Sequence, residues 1–392
     1  MPLSGIRVLD FGRYIAGPYV GALLADYGAD VIRIEAPGGN EDRFSVPVAG
    51  DGSGAMFLQM NRGKRCLTLK PGSDAGREVV RRLVRTADIV IANMPDDALT
   101  RLGLDYETLA ALDPRIILVT ASAFGSEGPL AQHVGFDAVG QAMSGAVHIA
   151  GHHGQPARAQ VNYVDFATAL HCAFGVMLAL RERERTGRGQ RVSASLLGSA
   201  LAISNGLTID YALNGIARGM IGNRAFSSAP TDIFATQDGW IMTQVVGNPI
   251  FARWARLVGR PDLIDDVRHS SDISRGDHGE ELGAIMREWC ATRTTVAALA
   301  ELGEAKVPAG PVLKPSEALA HPQVAAAGLV DPMDYPGAFA PAPVVRAPVA
   351  LSASGKAAPA AAPRVGEHSD AILSELGYST DEIALLRAQA II

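Results

Sequence analysis

Ile6-Arg7-Val8-Leu9-Asp10-Phe11, the segment Gly12 to Tyr27, and Asp30-Val31-Ile32-Arg33-Ile34-Glu35 form the stretch that decides the fold. The first run is short, apolar and β-branched, and it stops at Gly12, so it reads as a strand. Residues 17–27 carry Ala22, Leu23 and Ala25 and read as a helix. The third run is a second strand. A strand, a helix and a strand in this order make parallel neighbours, because a crossover that long cannot close a hairpin. The pattern repeats: helix 74–87, strand 89–92, helix 106–111, strand 116–120. Such alternation specifies an α/β fold built on a doubly wound sheet.

Beyond Ala121 the texture loosens into a Gly-rich stretch, 124–135, and a helical stretch starts near Phe136. Residues 145–160 read as a Gly/His/Gln loop. A long apolar helix, 165–186, ends at Gly187, where glycine is favoured just past a helix C-terminus. A strand at 191–194 and further helix follow. A second unit starts near Gly222, with a hairpin expected around Gln237-Asp238-Gly239. Amphipathic helices are expected at 249–258 and 280–292. The Ala/Pro-rich tail 332–363 reads as an extended return connection, and the last helix, 379–389, opens on the capping sequence Ser379-Thr380-Asp381-Glu382. The expected organisation is a large Rossmann-like domain over 1–200 completed by 330–392, a linker at 201–224, a smaller α/β domain at 225–325, and a return linker with the C-terminal helix at 326–392.

The chain has 392 residues, 48% hydrophobic and 19% charged, enough to bury two cores. A net charge of -6 offers no field for a polyanion, so nucleic acid is not an expected partner. Cys66, Cys172 and Cys290 are isolated and fit a reducing compartment, so a cytoplasmic location is expected. The start lacks the charged and apolar regions of a signal peptide. The apolar run Phe166 to Leu180 is interrupted by His171 and falls short of the roughly 20 residues a bilayer needs, so it reads as a buried helix and no membrane is expected.

Familiar cofactor motifs are missing. Gly12, Gly17 and Gly21 do not have G-x-G-x-x-G spacing, and neither a P-loop nor a G-x-S-x-G elbow occurs. No nicotinamide or flavin is therefore expected. His148, His152 and His153 sit in a Gly-rich segment without a carboxylate nearby and read as a solvated loop, so no metal is expected. The alternating charges Arg181 to Arg185 read as an exposed helix end.

Several segments in order resemble the family III coenzyme A transferases (the CaiB/BaiF family), which include formyl-, carnitine- and succinyl-coenzyme A transferases and 2-methylacyl-coenzyme A racemase. These are Leu3 to Phe11 followed by Ala16-Gly17-Pro18, Gly28 to Glu35, Asn61-Arg62-Gly63-Lys64-Arg65, Arg181 to Gln190, Asp238-Gly239-Trp240, Val307 to Val312 and Gly366-Glu367-His368. The resemblance implies an interlocked homodimer and transfer of coenzyme A (CoA) from an acyl-CoA to a carboxylic acid. It also implies that Asp165, in Asn162-Tyr163-Val164-Asp165-Phe166, is the nucleophile. A carboxylate can form a mixed anhydride and then a thioester, splitting one hard exchange into easier steps. Backbone N–H groups at the start of the helix are expected to favour its ionised form. Taken without the resemblance, Asp165 reads first as a helix cap, as Asp often is. CoA contacts are implied at Ala16, Leu69, Lys70, Asn93, Met94, Arg101, Phe136 and Asp137, with Lys70 and Arg101 supplying charge for the phosphates.

Within the family, a racemase needs a second acid/base and uses a His in Gly-His-Asp. The matching triplet here is Gly135-Phe136-Asp137, which cannot carry that proton. Ile15 stands where formyl-coenzyme A transferase has a glutamine near the nucleophile, Ala36 where it has an arginine, and Pro95 where many members have another. The short Gly247-Asn248 replaces that enzyme's run of glycines over the substrate. A larger dicarboxylate or a branched acid is the expected acceptor. The alternatives are an acyl-CoA racemase or isomerase and a non-catalytic acyl-CoA-binding protein.

Overall fold

A computed structural model describes residues 1–152 and 154–392. The chain divides into two compact units, Met1–Ser144 with Ala159–Ser204 and Pro322–Ile392, and Gly145–Arg158 with Asn205–His321.

The first unit is built on a six-stranded sheet of β1 (Arg7–Asp10), β2 (Asp30–Glu35), β3 (Arg65–Thr68), β4 (Ile89–Ala92), β5 (Ile117–Ser122) and β6 (Arg191–Ser195). Their order across the sheet is β3-β2-β1-β4-β5-β6, and every neighbouring pair is parallel. Alternate residues along each strand feed opposite faces. Val8, Val31, Ile91 and Val119 pack with Val20 and Leu24 of helix Ala16–Asp26 and with Cys172 and Val176 of helix Tyr163–Thr186. Leu9, Ile32, Leu67, Val90 and Leu118 pack on the other face with Val79 and Leu83 of helix Asp74–Val84. The C-terminal helices Ser369–Glu375 and Thr380–Ala388 complete that second face through Ile372, Leu373, Ile383 and Leu386. The last helix begins with the capping box anticipated at Ser379 and Glu382.

Strand β3 and the short helix Ala55–Met60 before it were not legible as elements, because neither carries a long enough periodic run. The apolar run in Tyr163–Thr186 differs from the buried helix expected. One face is buried through Val164, Thr168, Cys172 and Val176, but Leu170, Phe174 and Leu178 are more than half exposed in the single chain. This helix and Leu196–Asn214 are long and apolar enough to cross a membrane by length and composition.

The second unit carries the expected hairpin, β7 (Thr231–Ala235) with β8 (Trp240–Gln244), antiparallel and extended by β9 (Ala309–Pro311). Its core joins Phe234, Ile241, Trp254, Leu282, Met286 and Leu302. The stretch read as a loop at 145–160 is more ordered than that. It holds a helical turn, Ala146–Ile149, and the paired segments Gly151–His152 and Gln155–Pro156, and its 145–158 part groups with this second unit. The Gly222 N–H donates to the Gly151 carbonyl at 2.9 Å. His153 lies outside the described residues. Among the described residues, no three His, Cys, Asp or Glu side chains gather as they would around a metal ion.

Candidate active site

In the first unit's sheet, β1, β2 and β3 run outward one way and β4, β5 and β6 the other, so the winding reverses between β1 and β4. The loops leaving adjacent strands there diverge and open a crevice at the strands' C-terminal ends, the place where open α/β sheets bind ligands. The crevice encloses about 200 Å³. Its walls come from the loop after β1 (Arg13 to Ala16), the loop after β4 (Asn93 to Pro95) and the end of β5 (Ala121 to Ala123), together with Val134, Phe136, Leu196 and Asp165.

Asp165 is the third residue of helix Tyr163–Thr186 and is 8% exposed. The expectation that this helix start favours its ionised form is not met, and neither is the capping alternative. The N–H groups of Val164 and Asp165 are taken by the Asp137 carboxylate, at 2.8 and 3.1 Å. Asp137 thus caps the helix from another part of the chain. It is itself held by the Gln141 side-chain amide, whose oxygen accepts from the Ala159 N–H at 3.0 Å. Among the described residues, no hydrogen bond reaches the Asp165 carboxylate. Burial first, and the Asp137 charge second, push the Asp165 carboxyl up to about 7. A carboxyl poised near neutrality in a cleft is an arrangement suited to chemistry.

The loop after β1 rests on buried charges. The Gly12 N–H donates to Asp10 at 2.8 Å, and the Gly12 carbonyl accepts from Arg33. Lys64, fully buried, donates to Asp10 at 2.6 Å and to the Pro18 carbonyl at 2.7 Å. Desolvation pushes Lys64 down to about 8, against the pull of Asp10. Asp42 accepts from Arg33 at 2.8 Å and from the Tyr14 N–H at 3.1 Å. Tyr14 has φ of 60°, a left-handed conformation that costs a non-glycine residue energy and persists only where its surroundings impose it. Its ring meets Phe136 edge-on at 5.5 Å.

Of the anticipated residues, the crevice gathers Asp165, Ala16, Asn93, Met94 and Phe136. Asp137 is buried and its carboxylate is engaged as the cap, so it does not line the crevice. Leu69 is fully buried in the core, with its N–H donating to the Glu35 carbonyl at 2.7 Å, and it does not line the crevice. Lys70 and Arg101 are exposed away from the walls, and Arg101 meets Asp97 at 3.6 Å. Gly247 and Asn248 belong to the second unit. There the Gly247 N–H donates to Asp272 at 2.9 Å, and Arg275 donates to Asn248 at 3.0 Å. Sequence reasoning missed Arg13 and His133, both crevice residues. The signal for Arg13 was its place beside Gly12, immediately after a strand end, where α/β sheets keep their ligand loops.

The sequence model of CoA-transferase family III matches residues 3–369. A succinate–glutarate CoA-transferase of Agrobacterium fabrum is 35% identical over 96% of each chain. A succinyl-CoA–D-citramalate CoA-transferase of Chloroflexus aurantiacus is 32% identical over 100% of this chain and 98% of its own. The crystal structure of a CaiB/BaiF family protein from Brucella suis superposes with a TM-score of 0.84 at 32% identity, covering 96% of this chain and 99% of that one. With the switch-point crevice, the parallel sheet and these matches together, the chain belongs to CoA-transferase family III.

Proposed function

We propose that the protein transfers CoA from an acyl-CoA to a free carboxylic acid, with Asp165 as the covalent carrier. The observation that carries this reading is a carboxyl group held in the switch-point crevice, without a hydrogen-bond partner among the described residues and raised to about 7. About half of such a group is ionised at neutral pH, and its raised basicity makes the ionised half a better nucleophile than an ordinary aspartate.

The Asp165 carboxylate attacks the thioester carbonyl, and the C–S bond breaks to release CoA thiolate and leave a mixed anhydride. The thiolate then attacks the Asp165 acyl carbon, expelling the donor acid and leaving an aspartyl-CoA thioester. The acceptor carboxylate attacks that thioester, forming a second anhydride and freeing the thiolate again. The thiolate takes the acceptor's acyl group, and Asp165 returns as a carboxylate. The apolar walls of Ile15, Ala16, Met94 and Phe136 keep water from hydrolysing the anhydrides.

A 200 Å³ crevice holds the reacting end of an acyl-CoA, so the nucleotide extends beyond it, with Lys70 and Arg101 as cations for its phosphates. The two CoA-transferases named above are named for succinate, glutarate and D-citramalate, and we assign this chain a dicarboxylate substrate as well. Its assembly is a cytoplasmic homodimer, a state supported by the apolar side chains Leu170, Phe174 and Leu178 that the single chain leaves exposed. Sedimentation at nanomolar protein should find a dimer, and a monomer would refute that state.

A second reading, proton exchange at the α-carbon of an acyl-CoA, is favoured by His133 in the crevice wall. Both are tested together by incubating the protein with succinyl-CoA and a panel of free acids in deuterated water. New acyl-CoA products without α-deuterium are expected. Deuterium in unchanged donor, with no transfer, would select the second reading.

A further inference from the structure

We propose that Arg13 is the specificity residue that holds the second carboxylate of a dicarboxylic acid in the crevice. The assignment rests on the CoA-transfer reading and adds the group that selects the acid.

The crevice around Asp165 is largely apolar, with Ile15, Ala16, Met94, Val134, Phe136 and Leu196 in its walls. An acid entering it presents one carboxylate to the reacting centre. A second carboxylate placed against such walls is costly unless a cation meets it. Among the described residues that line the crevice, Arg13 is the one lysine or arginine.

The loop that carries Arg13 is fixed while its side chain is not. Its backbone N–H donates to the Asn93 side-chain oxygen at 2.6 Å, and its carbonyl accepts from the Asn93 amide at 2.8 Å. One side chain after β4 therefore locks both polar backbone groups of a residue after β1. On one side Gly12 is tied to Asp10 and Arg33, and on the other Tyr14 is held in its left-handed turn by Asp42. The Arg13 guanidinium, by contrast, meets only Glu41 among the described residues, at 3.3 Å, in a pair where the side chains are 49% and 73% exposed. Such a pair is worth little. An incoming carboxylate can displace Glu41 at small cost and be gripped through two parallel N–H donors. Preorganisation has gone into the backbone, leaving the cation available to a ligand.

The same guanidinium could meet a phosphate of CoA, and the test separates the two anions. Arg13→Gln and Arg13→Lys are compared with the parent protein in three measurements: transfer kinetics to glutarate and to valerate, calorimetric binding of both acids, and calorimetric binding of CoA. Arg13→Gln should raise KM for glutarate about tenfold or more, as loss of a charge-assisted pair does. It should leave KM for valerate, kcat with valerate and CoA affinity within about twofold. Arg13→Lys should recover part of the glutarate loss. Equal loss for both acids, or no loss, overturns the assignment, and a parallel loss of CoA affinity gives Arg13 to the phosphates instead. If the parent protein transfers CoA to no acid, the CoA-transfer reading fails. Glutarate binding that is unchanged in Arg13→Gln would separately refute the role of Arg13.

Discussion

Two carboxylates sit at nearly the same depth in the first unit and have been treated in opposite ways. Asp10, at the end of β1, is 0% exposed and is surrounded by donors: the Lys64 ammonium at 2.6 Å and the Gly12 N–H at 2.8 Å. Asp165, 8% exposed, receives none among the described residues, and the two N–H groups nearest to it in sequence go to Asp137 instead. A buried charge without partners is expensive, so a fold that needed only stability would have paired both. The paired group holds a loop in place. The unpaired one keeps its lone pairs for a substrate, and the cost appears as a raised proton affinity.

The contrast breaks most visibly at Asp165. Asp165→Asn should lower transfer by about a thousandfold or more, because the amide cannot form the anhydride. Its stability should move the other way. A carboxyl whose folded value is about 7 against 3.8 unfolded contributes stability that is complete below about pH 4 and lost as pH rises through 7. Asp165→Asn removes that loss and should be more stable than the parent at pH 8 by an amount on the order of 4 kcal/mol, with little difference at pH 4. Urea unfolding at the two pH values checks both signs. Lower stability of the variant at pH 8 would mean that Asp165 is structurally paired after all.

Lys64→Met tests the other half of the comparison. It leaves buried Asp10 with the Arg33 guanidinium, 4.0 Å away, as its remaining cation, and the expected loss is about 3–5 kcal/mol in denaturant unfolding. A loss under about 1 kcal/mol would put this pair with exposed ion pairs and remove the contrast. A smaller effect follows from Asp137. Asp137→Asn removes the like charge behind Asp165, so the rise of covalent-adduct formation with pH, centred near 7 in the parent, should move to lower pH. Because the amide is a poorer partner for Gln141 and for the helix start, this variant should also lose about 1–2 kcal/mol of stability. An unmoved midpoint would assign the whole shift to burial. The smallest effect is at the nucleotide end, where Arg101→Ala should weaken CoA about tenfold, or 1.4 kcal/mol, by calorimetry. Unchanged affinity would place the phosphates elsewhere.

These contrasts also explain what the sequence could and could not reveal. The strand–helix–strand opening was legible because Val8, Leu9, Ile32 and Ile34 lie in uninterrupted apolar runs that serve both faces of a parallel sheet. The C-terminal helix was legible because Ser379 and Glu382 cap it locally. The cap on helix Tyr163–Thr186 was hidden, since Asp137 reaches it from more than twenty residues away and leaves no local spacing to read. Asp165 was found through its resemblance to a family motif, and no residue pattern alone would have separated it from an ordinary cap. The exposed apolar face of the same helix was misread as buried because composition records what is apolar and not what covers it. Arg13 was overlooked because its position at the crevice follows from the sheet order, which joins β1 to β4 across most of a hundred residues.

Covalent attachment at Asp165 is the most direct test of the aspartyl mechanism. Protein incubated with an acyl-CoA and no acceptor, then trapped with hydroxylamine or borohydride and digested, should show a mass change on the peptide that contains Asp165. The change should be absent from Asp165→Asn and should grow as pH rises through 7. An unmodified Asp165 peptide in a protein that still transfers CoA, together with transfer by the Asn variant, would contradict the aspartyl mechanism.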